Sequence, residues 1–177
     1  MITTLPSGQT LRLRALEPGD VDTLYLWENS PEMWQFGFFQ APYSRHQLWE
    51  YIQNYDSDPL RSGQLRLIID VDGDAAGAID LYNIDTTNSR AMVGIMVSKT
   101  HRRKGIALAA LGLIEEYTSG PLALRQLVSV VAEDNESSLA LFGKAGFRHT
   151  ATLPGWVRRQ SRFVAARVFQ KETEDGL

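Results

Sequence analysis

The chain has 177 residues, enough for one domain with a sizeable core, and its 44% hydrophobic content is that of an ordinary globular protein. A formal net charge of −3 argues against a nucleic-acid partner as the global role. The absence of cysteine excludes a disulfide framework, a thiolate metal site and a cysteine nucleophile.

The opening residues, MITTLPSGQTLRLR, carry no apolar run behind their charges, so no signal peptide is expected. No stretch approaches the roughly 20 apolar residues of a membrane span. A cytoplasmic protein with no membrane partner is the expectation. Leu11, Leu13 and Ala15 alternate with Arg12 and Arg14 as a half-buried strand. Asp20, after Pro18-Gly19, is placed to cap a helix running to about Trp27. Residues 31–43 read as an irregular segment rich in aromatics: Trp34, Phe36, Phe38, Phe39 and Tyr43. Ser44 opens a second helix with Leu48 and Ile52 one turn apart.

Strand patterns follow at 65–71 and 75–82, around the hairpin turn Asp72-Gly73-Asp74, and at 91–97 after a turn at 86–89. Ile106, Ala110, Leu113, Ile114 and Tyr117 share one face of a helix over 105–118, and Leu108 and Leu111 widen it. Residues 127–131 form a valine-rich strand, 135–145 a helix closed by Gly146, and 147–153 and 162–169 a strand pair around Pro154-Gly155. Short turns make the three central strands antiparallel, and the strand–helix–strand unit over 91–131 requires a parallel crossover. The expected fold is a single α/β domain over residues 1–177, α+β in some schemes, with a mixed sheet carrying helices on both faces.

One segment carries chemistry. Val97-Ser98-Lys99-Thr100-His101-Arg102-Arg103-Lys104-Gly105-Ile106-Ala107 joins a buried strand to the N-terminus of a buried helix. Unpaired N–H groups and the positive end of the helix dipole converge there. Gly105 has no side chain and Ala107 a minimal one, so a large anion can approach the backbone. Arg102, Arg103 and Lys104 add charge, which suits a diphosphate. A solvated basic loop capping a helix is the alternative reading. The order Lys-Gly does not fit the nucleoside-triphosphate loop, and the three spaced glycines of the dinucleotide fingerprint are absent.

Arg102-Arg103-Lys104-Gly105-Ile106-Ala107 resembles the Q/R-x-x-G-x-G/A signature of the GNAT acetyltransferases. Downstream, residues 135–147, NESSLALFGKAGF, resemble that family's N-x-x-S-x-x-L-Y-x-K-x-G-F helix. Leu11 to Glu17, Pro42-Tyr43 and Ser89-Arg90-Ala91 are similar to the branch that acetylates ribosomal-protein N-termini and spermidine. The resemblance implies a GNAT-like, mostly antiparallel sheet with one parallel, splayed strand pair. It also implies acetyl-CoA as co-substrate, no metal, an amine acceptor as partner and a possible homo-oligomer.

By the same resemblance, the backbone of Ile95, Met96 and Val97 would hold the pantetheine arm, and the amides of Arg102, Arg103, Lys104, Gly105, Ile106, Ala107 and Leu108 the diphosphate. Gly94 would mark a bulge that splays the strands. Asn135 would contact the arm, cap its helix, or do both. Phe142 stands where relatives carry a tyrosine that protonates the departing thiolate; phenylalanine donates no proton, so its expected part is contact with the cofactor. Ser138 is a substitute donor, and the Val97 N–H a donor to the thioester oxygen. Asp80 and Glu28 are candidate bases, since the strand 91–97 offers no carboxylate.

The resemblance makes the chain an N-acetyltransferase in which a primary amine, a protein or peptide N-terminus or a small amine, attacks acetyl-CoA directly in a ternary complex. Spermidine acetyltransferases carry acidic residues before the Pro-Tyr pair, where this chain has Gln40 and Ala41, which disfavours a polyamine. The alternatives are a polyamine substrate, a non-catalytic acyl-CoA-binding domain, and a nucleic-acid module supported only by residues 102–104 and Arg158-Arg159.

Overall fold

A strand buried on both faces needs a sheet with cover on both sides. Residues 65–71 are such a strand: Leu67 and Ile69 are buried on one face and Ile68 on the other. The structure, a computed structural model, describes residues 1–36 and 41–173, with Glu32, Gln35 and Phe36 described by their backbone alone.

Its elements are β1 (Ile2–Thr4), β2 (Thr10–Arg14), α1 (Val21–Glu28), α2 (Pro31–Phe36), α3 (Arg45–Gln53), α4 (Pro59–Ser62), β3 (Leu65–Val71), β4 (Asp74–Asp85), β5 (Arg90–Val97), α5 (Ile106–Ser119), β6 (Gln126–Ala132), α6 (Glu136–Lys144), β7 (Arg148–Arg159) and β8 (Arg162–Glu172). The strands form one sheet in the order β1-β2-β3-β4-β5-β6-β8-β7. Every pair is antiparallel except β5–β6, which is parallel, as its α5 crossover demands.

On one face Ile106, Ala110, Leu113 and Ile114 of α5 pack with Leu139 and Phe142 of α6 over Leu67, Ile79, Val93 and Leu127. On the other, Leu24 of α1 and Leu48 and Ile52 of α3 cover Ile68. The helix starts follow their caps. Ser44 Oγ accepts the Gln47 N–H and Gln47 Oε1 accepts the Ser44 N–H, a closed capping box at α3.

Several expectations are corrected. Residues 31–36 are helical, because Ser30 Oγ caps the Met33 N–H and Pro31 occupies the first helical position. Asp20 is not a side-chain cap of α1; it is itself helical and binds Arg14 through both oxygens. Pro154-Gly155 is not the hairpin turn. Strand β7 runs through it with a bulge between Leu153 and Val157, and the turn falls at Gln160 and Ser161, where Gln160 takes a φ of 43°. Strand β1 and the short helix α4 are additions.

Buried Asp70 joins β2 to β3. It accepts Arg12 Nε at 3.1 Å and Arg14 Nε at 3.2 Å, and Arg14 passes on to Asp20. Burial alone would raise the Asp70 carboxyl, but hydrogen bonds from Arg12, the Gly73 N–H and Arg14 hold it below its ordinary value. Asp20 is lowered in the same way, by Arg14 and the Glu17 N–H against its burial.

Candidate functional site

Strands β5 and β6 are paired only at Arg90–Gln126, Ala91–Leu127 and Met92–Val128, although β5 continues to Val97 and β6 to Ala132. Beyond Met92 the two strands diverge, and one edge of β5 is left open. Which amides that edge carries follows from alternation. Ser98 donates its N–H to Ala76 O on β4 at 2.8 Å, so even-numbered residues face β4. The N–H groups of Val93, Ile95 and Val97 therefore face the wedge, while Met96 turns its own towards Ala78. The Val97 carbonyl already accepts Arg102 Nε at 3.0 Å.

The end of β5 owes its place to a glycine on the neighbouring strand. Gly77 follows a bulge at Ala76, and a Cβ on it would lie 2.2 Å from Met96 O and 3.0 Å from Val97 Cα. Gly94 is different. A Cβ there would meet only Tyr82 Cε1 at an ordinary 3.6 Å, and pairing with Asp80 is unbroken. The irregularity between β4 and β5 sits instead between Tyr82 and Asp85, where Asn83 has a φ of 49°. The expected bulge at Gly94 is thus displaced onto the partner strand.

The loop after Val97 ends at the mouth of the wedge. Arg103 and Gly105 adopt left-handed conformations, φ 61° and 78°, which curve the backbone into a concavity of amides. The first intrahelical bond of α5 runs from the Ala109 N–H to Gly105 O, so the N–H groups of Gly105, Ile106, Ala107 and Leu108 find no helical acceptor. Arg102, Arg103 and Lys104 are exposed around them. The Ile106 side chain is buried in the core, leaving only its amide to the loop, and Leu108 is exposed. His101 Nδ1 lies 2.7 Å from Ser98 Oγ, which ties it into the turn.

Across the wedge, Asn135 caps α6, its Oδ1 accepting the Ser138 N–H at 3.2 Å and Ser137 Oγ at 3.0 Å. Its Nδ2 has no partner among the described residues, nor has the half-buried Ser138 hydroxyl. The Phe142 ring is 3% exposed, set edge-on to Phe147 and stacked with Phe169, so it is a core residue first.

The α1–α3 face gathers a second set of groups. Arg66, Asp80 and Gly94 occupy one row across β3, β4 and β5. Arg66 Nε and Nη2 bind Asp80 at 2.6 and 3.2 Å, while its Nη1 binds Glu28 at 2.9 Å. Both carboxylates named as candidate bases are therefore held by one guanidinium. Burial opposes the Arg66 charge, but Asp80 and Glu28 outweigh it and the pKa is raised. Tyr55 accepts the Arg66 N–H, and burial pushes Tyr51 up to about 12 and raises Tyr82. These phenols keep their protons at neutral pH.

Beside Asn135 opens a cavity of about 600 Å³, lined by Pro31, Trp34, Asp134, Arg158, Arg159, Gln160, Ser161 and Arg162. Of the aromatic segment, Trp34 donates Nε1–H to Glu28 O, and Tyr43 is fixed by both ends of the Asn29 amide. Phe38, Phe39 and Gln40 lie outside the described residues, and Ala41 is exposed. Sequence reasoning missed Gly77, Arg66 and Arg162. Only Gly77 left a local signal, a lone glycine inside a strand pattern.

Residues 10–148 match the family model described as acetyltransferase (GNAT) domain. The spermidine N(1)-acetyltransferase of Escherichia coli (strain K12) is 28% identical over 143 residues, 81% of this chain and 75% of that protein. A putative ribosomal N-acetyltransferase, YdaF, of Bacillus subtilis (strain 168) is 29% identical over 153 residues, 81% of each chain. Among solved structures, the spermidine N-acetyltransferase of Vibrio cholerae in complex with CoA and spermine shares the fold with a TM-score of 0.84 at 21% identity, over 94% of this chain and 97% of that one. A dodecameric structure of spermidine N-acetyltransferase from Vibrio cholerae matches with a TM-score of 0.79 at 22% identity, over 94% and 96%.

Proposed function

This chain belongs to the GNAT acetyltransferase family and transfers an acetyl group from acetyl-CoA to an amine; on that premise we propose that the attack is direct, within a ternary complex, and that the acceptor is a protein or peptide N-terminus or a small amine of low charge. The observation that carries the reading is the wedge between β5 and β6, with open amides along one wall and the α5 N-terminus at its mouth. The amides from Arg102 to Leu108 are assigned to the diphosphate, and Arg102, Arg103 and Lys104 to its charge. Ile95 and Val97, whose N–H groups face the wedge, take the pantetheine arm, with Asn135 Nδ2 on the opposite wall. Met96 supports them through its bond to β4.

The neutral amine nitrogen attacks the thioester carbonyl carbon. The charge that develops on oxygen is met by the Val97 N–H. The carbon–sulfur bond then breaks and the thiolate leaves. A thiol pKa of about 8.5 makes thiolate a tolerable leaving group near neutral pH, so the missing tyrosine at position 142 does not bar turnover. Ser138, whose hydroxyl has no partner among the described residues while that of Ser137 is bound to Asn135, is assigned as a substitute donor. Asp80, held by Arg66 in the row that contains Gly94, is assigned the amine proton, directly or through water, and Glu28, bound to the same guanidinium, is the second candidate for it.

A cytoplasmic location is part of the reading; no helix among the described residues is long and apolar enough to cross a membrane. So is a homo-oligomer, supported by the dodecameric relative. Relatives named for spermidine favour a polyamine as the second reading. Comparing kcat/KM for spermidine with that for peptides beginning in alanine or serine separates the two. Efficient spermidine turnover with inert peptides would reverse the assignment.

A further inference from the structure

Arg159 and Arg162 stand directly opposite each other on the last rung of the β7–β8 hairpin, next to the turn at Gln160 and Ser161. Like charges in directly opposed positions repel, and only one of the two has a carboxylate. Asp134 accepts Arg159 Nε at 3.0 Å and Nη2 at 3.1 Å. Among the described residues Arg162 makes no hydrogen bond or ion pair. Arg162 lines the cavity that Pro31 and Trp34 wall on the α2 side. That cavity borders Asp134, the residue before Asn135, whose amide is assigned to one wall of the wedge.

The side of the sheet matters as well. Along β8, Phe169 faces the α5–α6 core, and Lys171 reaches Glu115 of α5. Alternation places Arg162, with Val164 and Ala166, on the opposite face, the one covered by α1–α3. The α5 loop assigned to the cofactor phosphates belongs to the other side. Arg162 is therefore poorly placed for the cofactor and well placed for the acceptor.

We infer that the acceptor amine carries a carboxylate close to its nucleophile, received by Arg162 in this cavity; the inference rests on the amine-acetylation reading above. A guanidinium offers a planar fork that matches a carboxylate with two parallel hydrogen bonds, and an anion between the opposed arginines relieves their repulsion. Trp34 and Pro31 supply the apolar wall for the acceptor's stem. A polycation would set its ammonium groups against Arg162.

The test is kcat/KM on matched peptides, Ser-Asp-Ala-Ala against Ser-Asn-Ala-Ala, amidated at the C-terminus, with free aspartate and β-alanine as a second arm. The acidic acceptor is expected to be preferred about tenfold, the worth of one partly exposed charge-assisted contact. In Arg162→Gln the preference should fall to near unity, and in Arg162→Lys to an intermediate value, with the acetyl-CoA-induced rise in Tm retained in both. Preference for the free amino acids over the peptides would assign the carboxylate to a small molecule and still support the inference. Equal turnover of acidic and neutral peptides by the wild type overturns it and leaves amine acetylation standing. A change in the acetyl-CoA KM of Arg162→Gln as large as its loss of preference overturns it too, by moving the arginine to the cofactor. No CoA release with any acceptor, in a protein whose Tm acetyl-CoA raises, overturns the transfer reading and this inference together.

Discussion

A Cβ on Gly77 would stand 2.2 Å from the carbonyl oxygen of Met96, well inside contact distance and against backbone, which cannot swing aside. The approach of β4 to the end of β5 thus depends on residue 77 having no side chain. That end carries the Val97 amide assigned to the thioester oxygen. Gly77→Ala is expected to cost roughly 1–3 kcal/mol as overpacking, or about 4–8 °C in Tm for a mid-range value. It should also weaken the stabilisation by acetyl-CoA more than a distant variant of equal Tm, such as one in β1. Thermal melts with and without acetyl-CoA check both parts.

The concavity before α5 leads to a second expectation. Gly105 has a φ of 78° and nothing within 4 Å of where a Cβ would be, so the space in front of the amides is open. Acetyl-CoA should raise the Tm of the wild type, and by about 2.7 kcal/mol of stability at a hundred times its Kd. Gly105→Glu puts a carboxylate into that space and should abolish the rise. An undiminished rise in a folded Gly105→Glu protein would place the diphosphate elsewhere.

Acid should destabilise the protein through Asp70 and Asp20. Their folded-state carboxyls lie below the unfolded values of about 3.9, so their contribution is complete above that pH. It is lost as pH falls through the lower folded values. Denaturant titrations should therefore show a steep loss of stability below about pH 4. Asp70→Asn should lower stability at neutral pH by about 1–3 kcal/mol, since Arg12 and Arg14 lose a charge-assisted partner while Arg14 keeps Asp20, and should flatten the acid limb.

Phe142 sits with Phe147 and Phe169, and an added hydroxyl must find a partner to be tolerated. If its para position borders the wedge, Phe142→Tyr restores a proton donor to the leaving thiolate. Turnover should then hold or rise, most visibly at lower pH, where free thiolate is the poorer product. A fall in turnover together with a Tm drop of several degrees would assign the position to packing alone. Rate–pH profiles with parallel melts distinguish the outcomes.

For the amine itself, kcat/KM should climb with pH until the acceptor is neutral. A peptide α-amine, with a pKa of about 8, levels off near about pH 9, while an alkylamine with a pKa near 10 continues to rise. The position of that limb reports the acceptor class independently of relative rates.

The strands from β2 to β8, the capping of α3, and the glycine turn before α5 were legible in the chain because each depends on neighbours a few residues away. Apolar period, a cap three residues from its donor, and a glycine free to take positive φ are local matters. Pro154-Gly155 misled for the same reason: its turn chemistry is local, but β8 pairs across it and converts the turn into a bulge. What only the tertiary structure decided is register. Pairing with β4 turned Ile95 and Val97 towards the wedge and Met96 away, and a slip of one residue would have reversed them. Arg66 meets Glu28 from 38 residues away and Asp80 from 14 because the ladder β3–β4 and the packing of α1 place them together. Arg162 faces Arg159, and one of them keeps an unpaired charge, because the hairpin closes at Gln160–Ser161 and Asp134 reaches only one side. Charge, periodicity and stereochemistry are written residue by residue, whereas the partner of a backbone amide or a guanidinium is set by which distant strand lies beside it.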